Sequence, residues 1–177
     1  MLFFKKTYWQ FLLKSTNEHG VHSPFVYALV TQCFYNKKFL RSESIISTVG
    51  FPSFIGKKQI SILQAVFPYL KISRVFFLVN KEHAVNQLAV LKNAEVKKNT
   101  DAQAIYISSS FKVEELKRVF GELKNDGFLI IENPYSKLES WNALKDTLQN
   151  KVVVDTYYFA LVFKKQQQAE ETFYIRI

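Results

Sequence analysis

The sequence is poor in several residue types, and each scarcity excludes a class of protein. Cys33 is the only cysteine among 177 residues, so the chain can form neither an internal disulfide nor a zinc site with several cysteines. Such cysteine usage is typical of a reducing compartment, and we therefore expect a cytoplasmic protein. No apolar run is long enough to span a bilayer. The apolar N-terminus is interrupted by Lys5, Lys6 and Gln10 and lacks the cleavage site of a signal peptide.

Apolar residues, by contrast, are abundant. They make up 48% of the chain and aromatic residues 16%, which is enough for one well-packed core in a chain of this length. We therefore expect a single domain over residues 1–177. Helices and a loop would occupy residues 1–56, and an α/β core residues 57–177.

The chain is basic, with a formal net charge of +9. Such a charge favours anionic partners such as nucleic acid, a membrane surface or a phosphorylated ligand. The lysines, however, form scattered pairs, such as Lys37-Lys38 and Lys97-Lys98, and not one block or one helical stripe. This distribution favours a solvated basic surface. Nucleic-acid binding is therefore the weakest of the functional alternatives.

Helical periodicity dominates the first third of the chain. It predicts an amphipathic helix over residues 2–14, docked on the protein's own core or lying on a membrane surface, and further helices over 24–35 and 57–70. Ser23-Pro24 is a typical helix start, with a capping serine before a proline at the first helical position. Residues 36–56 have no sustained period, and we expect a long loop of the kind that is usually functional.

Continuous apolar runs alternate with helical segments in the rest of the chain. Runs at 75–79, 104–107 and 128–131 are typical of strands buried on both faces of a parallel sheet, with a short edge strand at 94–98. Helices are predicted over 82–93, 112–124 and 136–150, and final strands over 151–157, 159–163 and 172–177. The order predicts a Rossmann-like, mostly parallel open sheet with helices on both faces, an N-terminal helical extension and a C-terminal antiparallel hairpin.

Two stretches of sequence carry a resemblance to a known family. FLLKSTNEHGVHSPFVYALVTQCFY, residues 11–35, resembles the N-terminal signature of bacterial class I methyltransferase-like proteins of the small O-methyltransferase type. The tail, from 152–157 through 160–163 to 173–177, resembles their final strands. Residues 105–107 and 129–133 resemble their fourth and fifth strands. The resemblance covers most of the chain and implies a fold that binds S-adenosylmethionine.

The residues that would hold this cofactor differ from the family's pattern. There, the first strand opens into an acidic, glycine-rich turn that lets the backbone approach the cofactor, and the second ends in an acid for the ribose hydroxyls. Here the first predicted strand is followed by Asn80-Lys81-Glu82-His83, and none of the five glycines lies at that turn. The chain is also shorter than the family by about one strand–helix unit in the first half of the sheet.

The acids of the family's catalytic site are also largely replaced. The family has aspartates at the ends of its fourth and fifth strands, where this chain has Ser108-Ser109-Ser110 and Glu132-Asn133. One acid is too few for a divalent metal, and we expect no metal site. We therefore expect a degenerate, non-catalytic pseudoenzyme without a cofactor, which acts as a binding or regulatory partner of another protein or as a homodimer. The alternative is an active O-methyltransferase that holds S-adenosylmethionine through residues 19–25 and 50–56.

Eight residues are candidates for the lining of a pocket, and Glu132 to Tyr135 are the strongest because ligands in such folds bind beyond the carboxyl ends of the strands. The eight are His19, His22, Ser23, Asn80, Ser108, Glu132, Asn133 and Tyr135. We interpret His19 and His22 as hydrogen-bonding residues at a helix entry, because a metal site needs three or four donors. The serines from Ser108 onward either bind an anion or cap the following helix. His83 is a candidate base or, alternatively, a cap or surface residue, and Cys33 is expected to be buried and inert.

Overall fold

The computed structural model describes residues 2–37, 57–78, 95–96, 102–107 and 112–177. Its α-helices are α1 (Leu2–Lys14), α2 (Pro24–Leu29), α3 (Lys57–Tyr69), α4 (Val113–Glu122) and α5 (Leu138–Thr147). A π-helical turn (Val30–Phe34) continues α2, and 3-10 turns occupy Glu18–Gly20 and Pro134–Lys137. No helix in these ranges combines the length and the apolar character of a membrane span.

The strands of the described residues form one sheet in the order β2-β1-β3-β4-β6-β5-β7. They are β1 (Arg74–Leu78), β2 (Glu95–Val96), β3 (Ala104–Ile107), β4 (Phe128–Glu132), β5 (Lys151–Asp155), β6 (Phe159–Lys164) and β7 (Glu171–Tyr174). All neighbouring pairs are parallel except those of β6, which is antiparallel to both β4 and β5. The predicted α/β class and mostly parallel sheet are confirmed.

Two apolar cores lie on opposite faces of the sheet. In β4, Phe128 and Ile130 belong to the core shared with α2 and α3, whereas Leu129 and Ile131 belong to the core shared with α4 and α5. This alternation follows from the two-residue period of a strand. It explains why β4 is a continuous apolar run, since both of its faces are buried. Helices therefore cover both faces of the sheet.

The N-terminal helix α1 lies at the edge where β4, β5 and β7 end. Phe11 of α1 is buried against Tyr135 and Tyr157, which follow β4 and β5. After α1, Thr16 forms an isolated parallel bridge with Ile175, just beyond β7. The predicted N-terminal helix thus docks on the domain itself.

The observed elements agree with the predicted ones to within a few residues. The final strand, predicted over 172–177, spans Glu171–Tyr174. The helix α5, predicted over 136–150, spans Leu138–Thr147, because Pro134 begins a 3-10 turn ahead of it. Cys33 is buried as predicted, and burial raises the pKa of its thiol to about 12. The predicted helix over 82–93 and most of the predicted loop over 36–56 lie outside the described residues, as does His83.

Candidate functional site

Two strands that run in the same direction, β4 and β5, each end in an acidic residue. β6 lies between them, and its residues Phe159 and Ala160 are in register with Glu132 of β4 and Asp155 of β5. The two carboxyl ends therefore meet at one edge of the sheet, where ligands bind in open α/β folds. Glu132 is 3% exposed and Asp155 0%, so each carboxyl group depends on partners within the protein.

The two acids point to opposite faces of the sheet. Val153, two residues before Asp155, belongs to the core beneath α4 and α5, whereas Ile130, two residues before Glu132, belongs to the core beneath α2 and α3. Because side chains alternate along a strand, Asp155 faces α5 and Glu132 faces the other side. The edge therefore has two separate polar sites.

Asp155 accepts hydrogen bonds at both carboxyl oxygens. Oδ2 accepts from the Tyr135 hydroxyl at 3.0 Å and from Trp141 Nε1 at 3.0 Å, and Oδ1 accepts from the backbone N–H of Tyr157 at 2.9 Å. Burial raises the pKa of Asp155, and the hydrogen bonds together with the charge of Lys145 oppose this rise. Burial and then the neighbouring Asp155 also raise the pKa of the Tyr135 hydroxyl. The carboxyl group is thus enclosed by donors and joins β5 to α5.

The turn after β5 holds Tyr157 in a strained conformation. Its φ of 73° lies in the left-handed region, which bulky residues seldom adopt. Its N–H binds Asp155, its ring stacks on Tyr135 with centroids 4.6 Å apart, and its hydroxyl lies 2.9 Å from Thr7 Oγ1. These contacts offset a backbone strain of about 1–3 kcal/mol. The position of Tyr157 is therefore set by its tertiary contacts.

An aromatic cluster connects this turn to α1. It is formed by the buried Phe11, Tyr135 and Tyr157 with Tyr8, Leu12, Leu138, Tyr158 and Tyr174 packed around them. Tyr8 and Tyr157 meet edge to face with ring centroids 4.9 Å apart, and Phe11 and Tyr135 do so at 6.0 Å. Such pairs each contribute about 0.5–1.5 kcal/mol beyond the area they bury. The cluster holds α1 across the ends of β4, β5 and β7.

A groove of about 300 Å³ lies between α1 and α5, beside this aromatic cluster. Lys14 and Lys145 are the charged residues of its described lining, and their ammonium groups lie 5.8 Å and 5.4 Å from the centroid of the Tyr174 ring. The rest of the lining is Gln10, Phe11, Leu13, Tyr135, Leu138 and Asn142. Burial lowers the pKa of Lys145, while the charges of Asp155 and Asp146 oppose this effect. The groove thus combines two cations with an apolar, aromatic wall.

Glu132 neighbours a buried phenol on the other face of the sheet. Burial, followed by the charge of Glu132 and a hydrogen bond with it, raises the pKa of Tyr106 well above its ordinary value. Asn133 then turns the chain with φ 44°, and its N–H donates to Tyr158 O at 2.9 Å. The carbonyl of Asn133 accepts from Ser136 N at 3.0 Å and from Ser136 Oγ at 2.8 Å. Glu132 and Asn133 therefore have structural partners at this edge.

The segment from His19 to Ser23 has its contacts elsewhere. His22 Nε2 lies 2.9 Å from Glu171 Oε1, and Glu171 begins β7, at the amino edge of the parallel strands. His19 is exposed and lies 3.6 Å from Glu18. Ser23 Oγ caps α2 by accepting a backbone hydrogen bond at 3.4 Å. The two histidines therefore do not converge on a common ligand position.

The structure brings three of the eight predicted candidates to the carboxyl edge of the sheet. They are Glu132, Asn133 and Tyr135. Asn80 and Ser108 lie outside the described residues. Three residues of the edge were not among the candidates: Asp155, Trp141 and Lys145. The signal for Asp155 was present in the sequence, because β5, like β4, is an apolar run that ends in an acid.

A second depression, of about 290 Å³, lies at the amino edge of the sheet. Lys165 forms part of its wall, with its ammonium group 4.1 Å from the centroid of the Phe25 ring and paired with Asp126. This edge is opposite to the one where ligands bind in open α/β folds. Over the described ranges, no three His, Cys, Asp or Glu side chains are grouped so as to hold a metal ion.

The chain is thus an α/β protein with a mostly parallel sheet. At the carboxyl edge of this sheet, an aromatic cluster packs around a buried aspartate. No protein-family model matches the chain, and no curated protein matches its sequence. The function is therefore inferred from its residues and their contacts.

Proposed function

We propose that this chain is a degenerate class I methyltransferase-like protein that acts by binding, as a partner or regulatory subunit, and does not transfer methyl groups. The environment of the acids at the carboxyl edge supports this most directly. Asp155 is enclosed by donors from Tyr135, Trp141 and Tyr157, and Glu132 neighbours the buried Tyr106. A general base or a metal ligand needs an oxygen that its substrate or metal can reach. Both carboxyl groups are instead buried against protein neighbours.

The sheet supports the family resemblance. Residues 105–107 lie in β3 and residues 129–132 in β4, the third and fourth strands of the described chain. The resemblance relates these segments to the family's fourth and fifth strands. An offset of one strand is what the loss of one strand–helix unit from the first half of the sheet would produce. The parallel pairing of β1 with both β2 and β3 also agrees with an open sheet of this type.

The residues after the first two strands do not fit a conventional S-adenosylmethionine site. Such a site uses glycines for close backbone approach and an acid for the ribose hydroxyls. The sequence after β1 is Val79-Asn80-Lys81-Glu82, without a glycine, and the sequence after β2 begins with Lys97-Lys98. We therefore assign no methyl-transfer chemistry to these residues.

An active O-methyltransferase with an altered cofactor site has less support. That hypothesis places the cofactor against residues 19–25 and 50–56. His22 pairs with Glu171 at the amino edge of the sheet, and Ser23 caps α2, whereas ligands of such folds bind at the carboxyl edge. Residues 50–56 lie outside the described residues.

Calorimetric titration with S-adenosylmethionine and S-adenosylhomocysteine distinguishes the two hypotheses. We expect no binding heat at millimolar ligand and no change in melting temperature. A ligand at 100 times its Kd would add about 2.7 kcal/mol to the free energy of unfolding, so thermal unfolding is a sensitive second readout. Micromolar binding of either compound would refute the proposal. The variants Glu132→Gln, at the carboxyl edge, and His22→Gln, at the amino edge, would then locate the site.

A further inference from the structure

The groove between α1 and α5 has the features of a small-molecule site, and they do not depend on the methyltransferase resemblance. Its volume of about 300 Å³ is within the range of such sites, roughly 300–1,000 Å³. Small-molecule sites are mostly apolar and contain a few polar groups that orient the ligand. Here the apolar wall includes Phe11 and Tyr135, and Lys14, Lys145 and Asn142 supply the polar groups.

We propose that this groove binds a small aromatic carboxylate. The ligand's carboxylate lies between the ammonium groups of Lys14 and Lys145, and its ring lies against the apolar wall of the groove.

The two lysines give the site its preference for an anion. Both ammonium groups lie over the ring of Tyr174, and Lys145 Nζ is also 3.4 Å from the Tyr174 hydroxyl and 5.0 Å from the Trp141 ring centroid. Neither ammonium group forms an ion pair with a carboxylate of the described residues. Two cations beside one ring repel each other, and an anion between them removes that repulsion while accepting charge-assisted hydrogen bonds from both.

The nearby acids lie outside the groove. Asp146, Glu170 and Glu171 line a neighbouring depression that shares Lys14 and Lys145 with the groove, and none of the three lines the groove itself. Glu170 pairs with Lys151 at 2.9 Å, and Glu171 pairs with His22. Asp155 is fully buried behind the Tyr135 hydroxyl that it binds. The charged side chains that line the groove itself are therefore the two lysines.

The wall of the groove favours a planar apolar body. Phe11 and Tyr135 meet edge to face with centroids 6.0 Å apart, and Phe11 meets Tyr174 in the same way at 6.2 Å. Phe11 and Tyr135 are almost fully buried, so a ligand ring meets this cluster mainly at the half-buried Tyr174. Aromatic rings prefer edge-to-face or offset contacts with one another. The amides of Gln10 and Asn142 add hydrogen-bonding groups to the lining. An aliphatic anion would lack the ring contacts, and a neutral aromatic compound would lack the charge contacts.

A matched pair of ligands tests the proposal by NMR titration of the full chain. We use 2-naphthoate as the probe and 2-naphthamide, which has the same rings without the charge, as its control. Naphthoate is expected to shift the side-chain amides of Gln10 and Asn142, which line the groove, but not the indole N–H of Trp9, which is 65% exposed and does not line it. Naphthamide is expected to bind at least about tenfold more weakly, a factor that corresponds to about 1.4 kcal/mol.

Single substitutions locate the charge contacts. Lys14→Gln and Lys145→Gln are each expected to weaken naphthoate binding by about tenfold, as expected for the loss of one charge-assisted contact. Lys6→Gln, an exposed position on α1 outside the groove, is the control and should leave the affinity unchanged. Because Lys14 is exposed, its variant keeps the test valid even if the half-buried Lys145 variant is unstable.

Three results would overturn the proposal. These are the absence of shifts at Gln10 and Asn142 with millimolar naphthoate, equal affinities for naphthoate and naphthamide, and an unchanged affinity in Lys14→Gln. Each of these results is measured with naphthoate or naphthamide, so none of them changes the outcome of the calorimetric test with S-adenosylmethionine.

Discussion

The hydroxyl group of Tyr135 donates to Oδ2 of Asp155 across 3.0 Å, at a position where Asp155 has no exposure to solvent. Tyr135 follows β4 and Asp155 ends β5, so the bond connects two segments of the carboxyl edge. A buried acceptor that loses a donor bears the full penalty of its desolvation. This bond is therefore expected to contribute measurably to stability.

Replacement of Tyr135 by phenylalanine tests this contribution. The variant Tyr135→Phe keeps the ring and removes the donor, and we expect the free energy of unfolding to fall by about 1–3 kcal/mol. Urea denaturation followed by circular dichroism measures the change. Tyr27→Phe is the matched control, because Tyr27 is 48% exposed. A substitution at an exposed site should change the free energy of unfolding by less than about 0.5 kcal/mol. Equal effects of the two substitutions would show that the bond to Asp155 does not stabilise the fold.

Stability is also expected to depend on pH through Asp155. Burial raises the pKa of Asp155 in the folded protein, so between the unfolded and folded pKa values the folded state retains a proton that the unfolded state has released. The contribution of Asp155 to the free energy of unfolding is therefore largest below the pKa of the unfolded state, about 3.9. It is lost as the pH rises through the pKa of the folded state.

The variant Asp155→Asn isolates this effect, since other titrating groups cancel in the comparison. The parent chain should lose stability relative to the variant as the pH rises from acidic to neutral. Urea denaturation of both proteins over this pH range measures the difference. A parent chain that gained relative stability over the same interval would mean that the folded pKa of Asp155 is lowered.

Position 20 requires a glycine, because the backbone there passes close to the side chain of Thr16. A Cβ atom at Gly20 would clash with Thr16 Oγ1 and lie 2.8 Å from Thr16 Cβ, and a rotation of the Thr16 side chain relieves only the first contact. Thr16 also forms the bridge to Ile175. We therefore expect Gly20→Ala to destabilise the protein by about 1–3 kcal/mol.

Gly121→Ala is the matched control for this substitution. Gly121 lies in α4, and a Cβ atom there would meet nothing within 4 Å. Since glycine in a helix is less favourable than alanine, this variant should gain about 0.5–1 kcal/mol. Thermal unfolding of both variants would reveal the opposite signs, and a neutral Gly20→Ala would contradict the packing of Thr16 against this turn.

Docking of α1 depends on Phe11. Phe11 is 3% exposed within the aromatic cluster, so Phe11→Ala should reduce the free energy of unfolding by about 3–5 kcal/mol and make α1 more sensitive to limited proteolysis. Leu13→Ala, at a residue that is 86% exposed on the same helix, should have little effect on either measurement. If proteolysis of α1 were equally fast in the two variants, Phe11 would not be the residue that holds the helix.

The elements of the fold were accessible from local sequence patterns. The predicted first helix, over residues 2–14, has the bounds that the structure shows, and the apolar runs 104–107 and 128–131 are strands. These patterns are informative because helix and strand periods record which side of each element is buried. The order of the apolar runs also indicated the carboxyl edge as the place to search, and Tyr135 was identified there.

The roles of individual side chains were less accessible. The position of His22 before α2 predicts a residue that fixes the entry to a helix, whereas the structure pairs it with Glu171, 149 residues away. The position of Tyr135 after β4 predicts a pocket residue, and it does line the groove, but its bond to Asp155 is not predicted. In both cases the partner lies on another element of the fold, and no local pattern identifies it.

The alternation of helices and strands, the burial of the central strands and the lack of glycines directly after β1 are properties of adjacent residues, so they can be read from the sequence alone. The enclosure of Asp155 by Tyr135 and Trp141 arises only on folding, and so does the position of Lys14 and Lys145 over the ring of Tyr174. These contacts depend on how α1, α5 and β7 pack around one edge of the sheet. Packing brings together side chains whose spacing along the chain carries no periodic signal.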